Sequence, residues 1–229
     1  MIVSISQPAY LPWLGYFDRI ARSDVHIVLD NVQIERGTSF TNRNKIRTPH
    51  GWAWLTIPIR RGDTPEGAII NNVQIDGSQW ANKHLRSLIQ SYSKTPHFAN
   101  HRGWLEDFYS KHWTHLAPLL REETGYFLNT LEIKTRLVFS SEMNVDGQKS
   151  DLILNLCKAV GATTYLSGPF GRHYLDASSF EDAGIGIEFH DYIHPVYSQC
   201  QGEFMPHLSV VDLLFNHGGK SLAILRCNG

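Results

Sequence analysis

Asp191 and His194, in the segment Asp191-Tyr192-Ile193-His194-Pro195, are the pair in this sequence best suited to moving a proton. A carboxylate near an imidazole is the usual way to orient a general base, and histidine titrates close to neutral pH. The same spacing also fits a structural histidine whose side chain points away from the aspartate. Upstream, Asn42-Arg43-Asn44 sets a planar guanidinium between two amides, which suits a carboxylate or phosphate, although an Asx-type turn has the same composition. Gly168-Pro169-Phe170-Gly171-Arg172, with Tyr174 just beyond, can bend tightly and expose backbone N–H groups to an anion, or can be an ordinary strand-to-helix turn. Tyr10, Trp13 and Tyr16 either line a pocket or belong to the core. The chemistry these residues suggest is proton transfer beside a bound anion. Arg43 would hold the anion, and His194, oriented by Asp191, would take the proton of an attacking group.

Such residues need a scaffold, and the chain opens like one. Ile2 to Ser6 is short and β-branched, as a buried strand should be. Gln7 to Pro12 contains two prolines and cannot be helical. Trp13 to Arg22 places apolar residues at helical spacing, and Val25 to Leu29 reads as a second strand ending at Asp30. That order predicts a βαβ unit in a parallel sheet, where ligands bind beyond the carboxyl ends of the strands. Three segments take that position: Gln7 to Tyr16, Asp30 to Asn44 (with Gln33), and Gly168 to Tyr174. The expectation is one cleft containing Tyr10, Arg43, Asn44, Arg172 and His194.

Further along, Gly51 to Ile59 alternates like a strand and is expected to pair with Ile69 to Ile75. Residues 79–126 have helical period and many aromatic and histidine residues, and read as an insertion covering one face of the sheet. Ser150 is a candidate N-cap, Gly161 a helix stop, Thr163 to Ser167 and Ile185 to His190 two more strands, and Ser209 the cap of a final helix through Phe215. The fold class is therefore α/β: a mostly parallel Rossmann-like sheet flanked by helices, with a β-hairpin and a helical insertion, in one domain over 1–229.

The composition narrows the function classes. With 229 residues, 21 Lys plus Arg against 22 Asp plus Glu and a formal charge of −1, the chain lacks the basic excess of a duplex-binding surface. Its local cluster Arg43, Lys45, Arg47, Arg60 and Arg61 reads as a solvated face or an anion site. Cys157, Cys200 and Cys227 have no disulfide or zinc spacing, and Cys200 has no feature that would activate a thiol. His84, His97, His101, His112 and His115 lack a matching carboxylate pattern, so no metal is expected. No secretory leader or membrane span is visible, which makes the cytoplasm the expected location.

The stretches QPAYLPWLGYFDRIARSD, LDNVQ, TNRNKIRTPHGWAWLTIPI, GATTYLSGPFGRHYL, DYIHPVY and LSVVDLLFNHG together resemble the WbqC-like family almost end to end. Members of that family occur in bacterial polysaccharide and O-antigen gene clusters. The resemblance implies N-acylation or aminoacylation of an amino sugar or similar amine, with a small-molecule partner such as a nucleotide-linked amino sugar. A second, weaker similarity is to the start of adenylyl-transfer folds, where HxGH opens the first helix and its histidines hold nucleotide phosphates. Here Trp13-Leu14-Gly15-Tyr16 keeps the glycine and replaces both histidines, so ATP and a pre-activated acyl donor both stay open as co-substrates. A non-catalytic nucleotide- or sugar-binding protein and a glycosyltransferase are the alternatives, the latter without a DxD motif. Oligomeric state is not readable.

Overall fold

The buried β-branched segments Ile2–Ser6 (β1) and Val25–Val28 (β2) pair in parallel, with Leu14–Ala21 (α1) as the crossover between them. The structure is a computed structural model that describes residues 1–34, 39–60 and 69–226. Arg61 and Cys227 lie outside the described residues, as does part of the polar stretch after Gln33.

Three more strands complete the sheet: Arg136–Phe139 (β5), Thr164–Ser167 (β6) and Gly186–Phe189 (β7). The order is β5-β2-β1-β6-β7 and every pairing is parallel. The expected neighbours β1, β2 and β6 are thus adjacent, whereas β5 was not anticipated. From β1 the chain moves to β2 and β5 on one side, then returns to β6 and β7 on the other. The strand order therefore reverses between β1 and β6, the position where open α/β sheets bind ligands.

The period-2 alternation of the strands gives the two sheet faces different characters. Val3, Ile5, Val25, Ile27 and Tyr165 form an apolar layer with Ile153, Leu156 and Cys157 of Lys149–Val160 (α5) and Phe180 of Ala177–Asp182 (α6). Ser4, Ser6 and His26 point to the opposite face, under α1.

The expected hairpin forms with a different partner. Arg43–Thr48 (β3) pairs antiparallel with Gly51–Thr56 (β4), because the Pro49-His50 turn closes that pairing locally, and a short loop costs least entropy. Ile69 to Ile75 is mostly not a strand: Ile70–Asn72 is a 3₁₀ turn, and only an isolated Ile59–Ile75 bridge remains of the expected pairing. The insertion is three helices, Gln79–Tyr92 (α2), Phe98–Ser110 (α3) and Leu116–Thr130 (α4). They share a core with α1, the hairpin and Val210–His217 (α7), followed by Ser221–Leu225 (α8). Among the described residues, Leu137 is the sole large-sheet side chain in that cluster, so the insertion meets the sheet mainly through α1 instead of lying directly on it.

Gly161 ends α5 in the left-handed conformation (φ 76°) and Ser209 caps α7, both as expected. Ser150 does not cap α5; its Oγ accepts the Asp176 N–H at 2.9 Å and ties α5 to the start of α6.

Candidate functional site

At the β1/β6 reversal the strands end in Ser6-Gln7 and Ser167-Gly168, and α1 brings Arg19 against them. A Cβ on Gly168 would lie 2.5 Å from Arg19 Nη1, so the guanidinium needs the glycine's open backbone. Arg19 Nε is buried without a hydrogen-bond partner, and no carboxylate pairs with Arg19 among the described residues. Under it lies His26, fully buried, with Nδ1 2.7 Å from Ser4 Oγ and Nε2 3.1 Å from Ser6 Oγ. Burial, then the positive charge of Arg19, push the His26 imidazole down to about 3, so the ring is neutral. A half-exposed Tyr174 beside Tyr165 closes the far side of this mouth, and Gly171 sits so tightly on Ser167 that a Cβ would collide with its Oγ.

The residue before Arg19 on α1 belongs to the structure's own carboxylate–imidazole pair. Asp18, fully buried, lies 2.7 Å from His190 Nε2 and also 2.7 Å from Arg22 Nε. An ionised carboxylate only accepts, so Nε2 donates to Asp18, and in the neutral ring the lone pair is then on Nδ1. Nδ1 makes no hydrogen bond among the described residues. His190 follows β7 directly, and its N–H donates to the Ser167 carbonyl at 2.8 Å, which joins this pair to the β6 mouth. The imidazole stacks on Tyr192 and borders a cavity of about 240 Å³ lined by Arg22, Leu166, Glu188, Asp191 and Ile193.

The expected Asp191–His194 pair is not made. Both Asp191 oxygens accept from Arg172, at 2.9 and 2.6 Å, and that ion pair holds the Asp191 carboxyl below its ordinary range. His194 Nδ1 faces the Pro195 carbonyl at 2.8 Å, and its ring sits among Tyr192, Tyr197, Phe204 and His207, where burial lowers its pKa.

The Asn-Arg-Asn triad also divides, because strand alternation sends its members to different faces. Asn42 Nδ2 donates to the Ile57 carbonyl, and Asn44 Nδ2 donates to the Leu11 carbonyl at 2.7 Å; both are structural ties. Arg43 lies over Trp54 on the outer hairpin face, 4.6 Å from the ring centroid. Tyr10 is core: its hydroxyl meets His84 Nδ1 and Tyr109. Tyr16 is buried against Phe17 and His26. Trp13 folds over its own helix, so that a Cβ at Gly15 would strike the indole, and Tyr192 and His207 close around it. The space that phosphates would need beside that glycine is taken by the protein's own side chain, and these residues do not fit an ATP phosphate site there.

Asp30 ends β2 and accepts from Ser140 Oγ, Ser141 N and Ser141 Oγ, which binds the ends of β2 and β5 together. Gln33 is exposed beside Ile69, and Gln7 stands at the β1 end near Thr41. Of the expected binding residues, Gln7, Gly168, Gly171 and Tyr174 therefore gather at the β1/β6 mouth, with Arg172 beside the β7 end. Arg19, Asp18 and His190 were missed. Asp18 and His190 are 172 positions apart, and no local pattern marks such a pair.

The WbqC-like protein family model matches residues 7–224. The chain belongs to the WbqC-like protein family. A protein of Mycobacterium tuberculosis (strain ATCC 25618 / H37Rv), named Uncharacterized protein Rv1507c, is 37% identical over 227 residues, covering 98% of this chain and 97% of that one. No solved structure matches. The WbqC-like segments divide by role in this fold. The first carries Asp18 and Arg19, and GATTYLSGPFGRHYL carries Ser167, Gly168 and Tyr174. The last, LSVVDLLFNHG, is structural: Asp212 Oδ2 accepts from Tyr197 Oη at 3.0 Å and Gln199 Nε2 at 2.8 Å, and Asn216 Oδ1 accepts the Cys200 N–H. It supports the loop that follows His190. No helix is long and apolar enough to cross a membrane among the described residues.

Proposed function

We propose that this WbqC-like protein transfers an acyl or aminoacyl group to the amine of an amino sugar or similar small molecule, with His190 as the base and Arg19 as the anion-binding group. The observation that carries the reading is the buried Asp18 on His190 Nε2, with the imidazole bordering a polar cavity; in the neutral ring Nδ1 is then the proton acceptor. The neutral amine nitrogen attacks the acyl carbon, the C–N bond forms, and the bond to the leaving group breaks. His190 Nδ1 takes the nitrogen's proton and returns it to the leaving group. Arg19 offsets the negative charge of a phosphate or carboxylate on the donor or acceptor. Because Trp13 fills the space beside Gly15, a donor that arrives already activated, such as a thioester or an aminoacyl ester, fits better than free acid plus ATP.

The test is mass spectrometry of reactions that combine acyl-thioester and aminoacyl donors with a panel of nucleotide-linked amino sugars. The expected result is one acceptor gaining the acyl mass, and His190→Gln lowering turnover by roughly 10²–10⁴-fold with the fold retained. Binding of an amino-sugar nucleotide with no product from any donor would instead favour a non-catalytic binding protein.

A further inference from the structure

The hairpin carries a second surface that the proposed transfer site does not use. Cross-strand register sets Lys45 opposite Trp54 and Arg47 opposite Trp52, so these side chains share one face while Ile46 and Leu55 face the core. Trp52 and the adjoining Phe40 are each 47% exposed, unusual for rings of this size. They are built into one cluster: Phe40 and Trp52 flank Trp54 at 6.0 and 5.8 Å. Lys45 Nζ stands 4.5 Å from the Trp52 centroid and 5.1 Å from that of Trp54, and no carboxylate pairs with it among the described residues. Neither β3 nor β4 contains an acidic residue, although the whole chain is slightly acidic.

We propose that this hairpin face binds an acidic sugar chain, its rings packing on the exposed faces of Trp52 and Phe40 and a carboxylate or phosphate pairing with Lys45. Indole faces attract the polarised C–H groups of a pyranose, and a lysine fixed over the rings selects the anionic sugars among them. The surface is a few rings with Lys45 and Arg43 over them, which is short of the long basic groove that tracks a nucleic-acid strand. The face lies on a different sheet from the transfer site, and its binding stands or falls independently of turnover.

Calorimetric titration of the full chain with hexagalacturonate, maltohexaose and a twelve-nucleotide oligothymidylate tests it. Hexagalacturonate should bind, more weakly as salt rises, and maltohexaose at least about tenfold more weakly. Trp52→Ala and Lys45→Gln should each weaken hexagalacturonate by about three- to tenfold, the scale of one such contact, with unchanged melting temperature, since both positions lie on the outer face. His190→Gln should leave this binding unchanged. Equal binding of both sugars, no loss in either hairpin variant, no binding of hexagalacturonate, or preferential binding of the oligonucleotide would each overturn the proposal.

Discussion

Asp18→Asn is the sharpest perturbation of the proposed site, because it keeps shape and removes one property. The amide can place Nδ2–H toward His190 Nε2, 2.7 Å away, where the carboxylate now accepts. Nε2 must then accept, the ring proton moves to Nδ1, and the atom proposed to take the substrate proton is already protonated. Loss of the correct tautomer at a general-base histidine costs about 10⁴ in turnover. Stability should fall far less. Arg22 loses its ionic partner, but its side chain is 35% exposed and can turn to water, so only the buried hydrogen bonds count, about 1–3 kcal/mol. In a chain of this length that is a fall in melting temperature of roughly 2–10 °C. The assay is acyl transfer under single-turnover conditions at 25 °C, with circular dichroism to confirm the folded fraction. His190→Gln, Asp18→Asn and the double variant should be nearly equal, since residues acting as one unit are not additive. Activity of Asp18→Asn within threefold of the parent, or lost only in proportion to unfolding, would refute the reasoning.

Arg19→Gln should raise the KM for the anionic substrate by about 10- to 100-fold, the scale of one charge-assisted contact, and an unchanged KM would remove Arg19 from the site. Stability should fall with acid, because burial holds His26 down at about 3 and His84 at about 4 while the unfolded chain binds those protons from about 6.5. That contribution is complete above pH 6.5 and is lost as pH drops toward 3, at up to about 1.4 kcal/mol per pH unit for each ring. Glu123 acts with the opposite sign: burial raises its pKa well above 4.5, so its cost to folding grows as pH rises from there, and Glu123→Gln should stabilise the protein at pH 7.5 and leave it unchanged at pH 4. Urea melts across pH check both: in Glu123→Gln, where the opposing contribution is absent, a flat profile from pH 7 to 4 would contradict the burial of the two histidines, and equal stability of Glu123→Gln and the parent at pH 7.5 would contradict that of Glu123.

The elements with a strong local signature were legible in the sequence. The β-branched runs of β1 and β2 around an amphipathic α1, the glycine after α5 and the serine before α7 all appear where their chemistry places them. Strand partners were less legible, because pairing depends on which turn closes first: Pro49-His50 brought β3 to β4, and the more apolar Ile69 to Ile75 was left as a turn and a bridge. The four-residue β5, Arg136–Phe139, was too short to stand out in the sequence. For the proposed site, topology pointed to the loops after β1 and β6, but the Asp18–His190 pair was not legible. Asp191 and His194 are neighbours in sequence, and the backbone after β7 turns them to different partners. Asp18 looked like an ordinary polar position of an amphipathic helix until the fold buried it against His190.

The two faces of β1 explain why a site can exist here at all. Val3 and Ile5 join the apolar layer under α5 and α6, which supplies stabilising burial to the central strands. Ser4 and Ser6, one position out of phase, give up that burial to hold His26 under α1. Alone, a polar layer in the middle of a sheet is a net cost, and it persists because every nitrogen of the ring is satisfied. Its effect is electrostatic. With both serines engaged and Arg19 close by, His26 stays neutral through the physiological range, so no second cation competes with the guanidinium for water or counterions. Arg19, which has no carboxylate partner among the described residues, then carries its charge at the β1/β6 mouth against Gly168, one residue along α1 from the carboxylate on His190. A single short helix thus carries Arg19 and Asp18 to adjacent strand ends, the combination that the proposed acyl transfer would use.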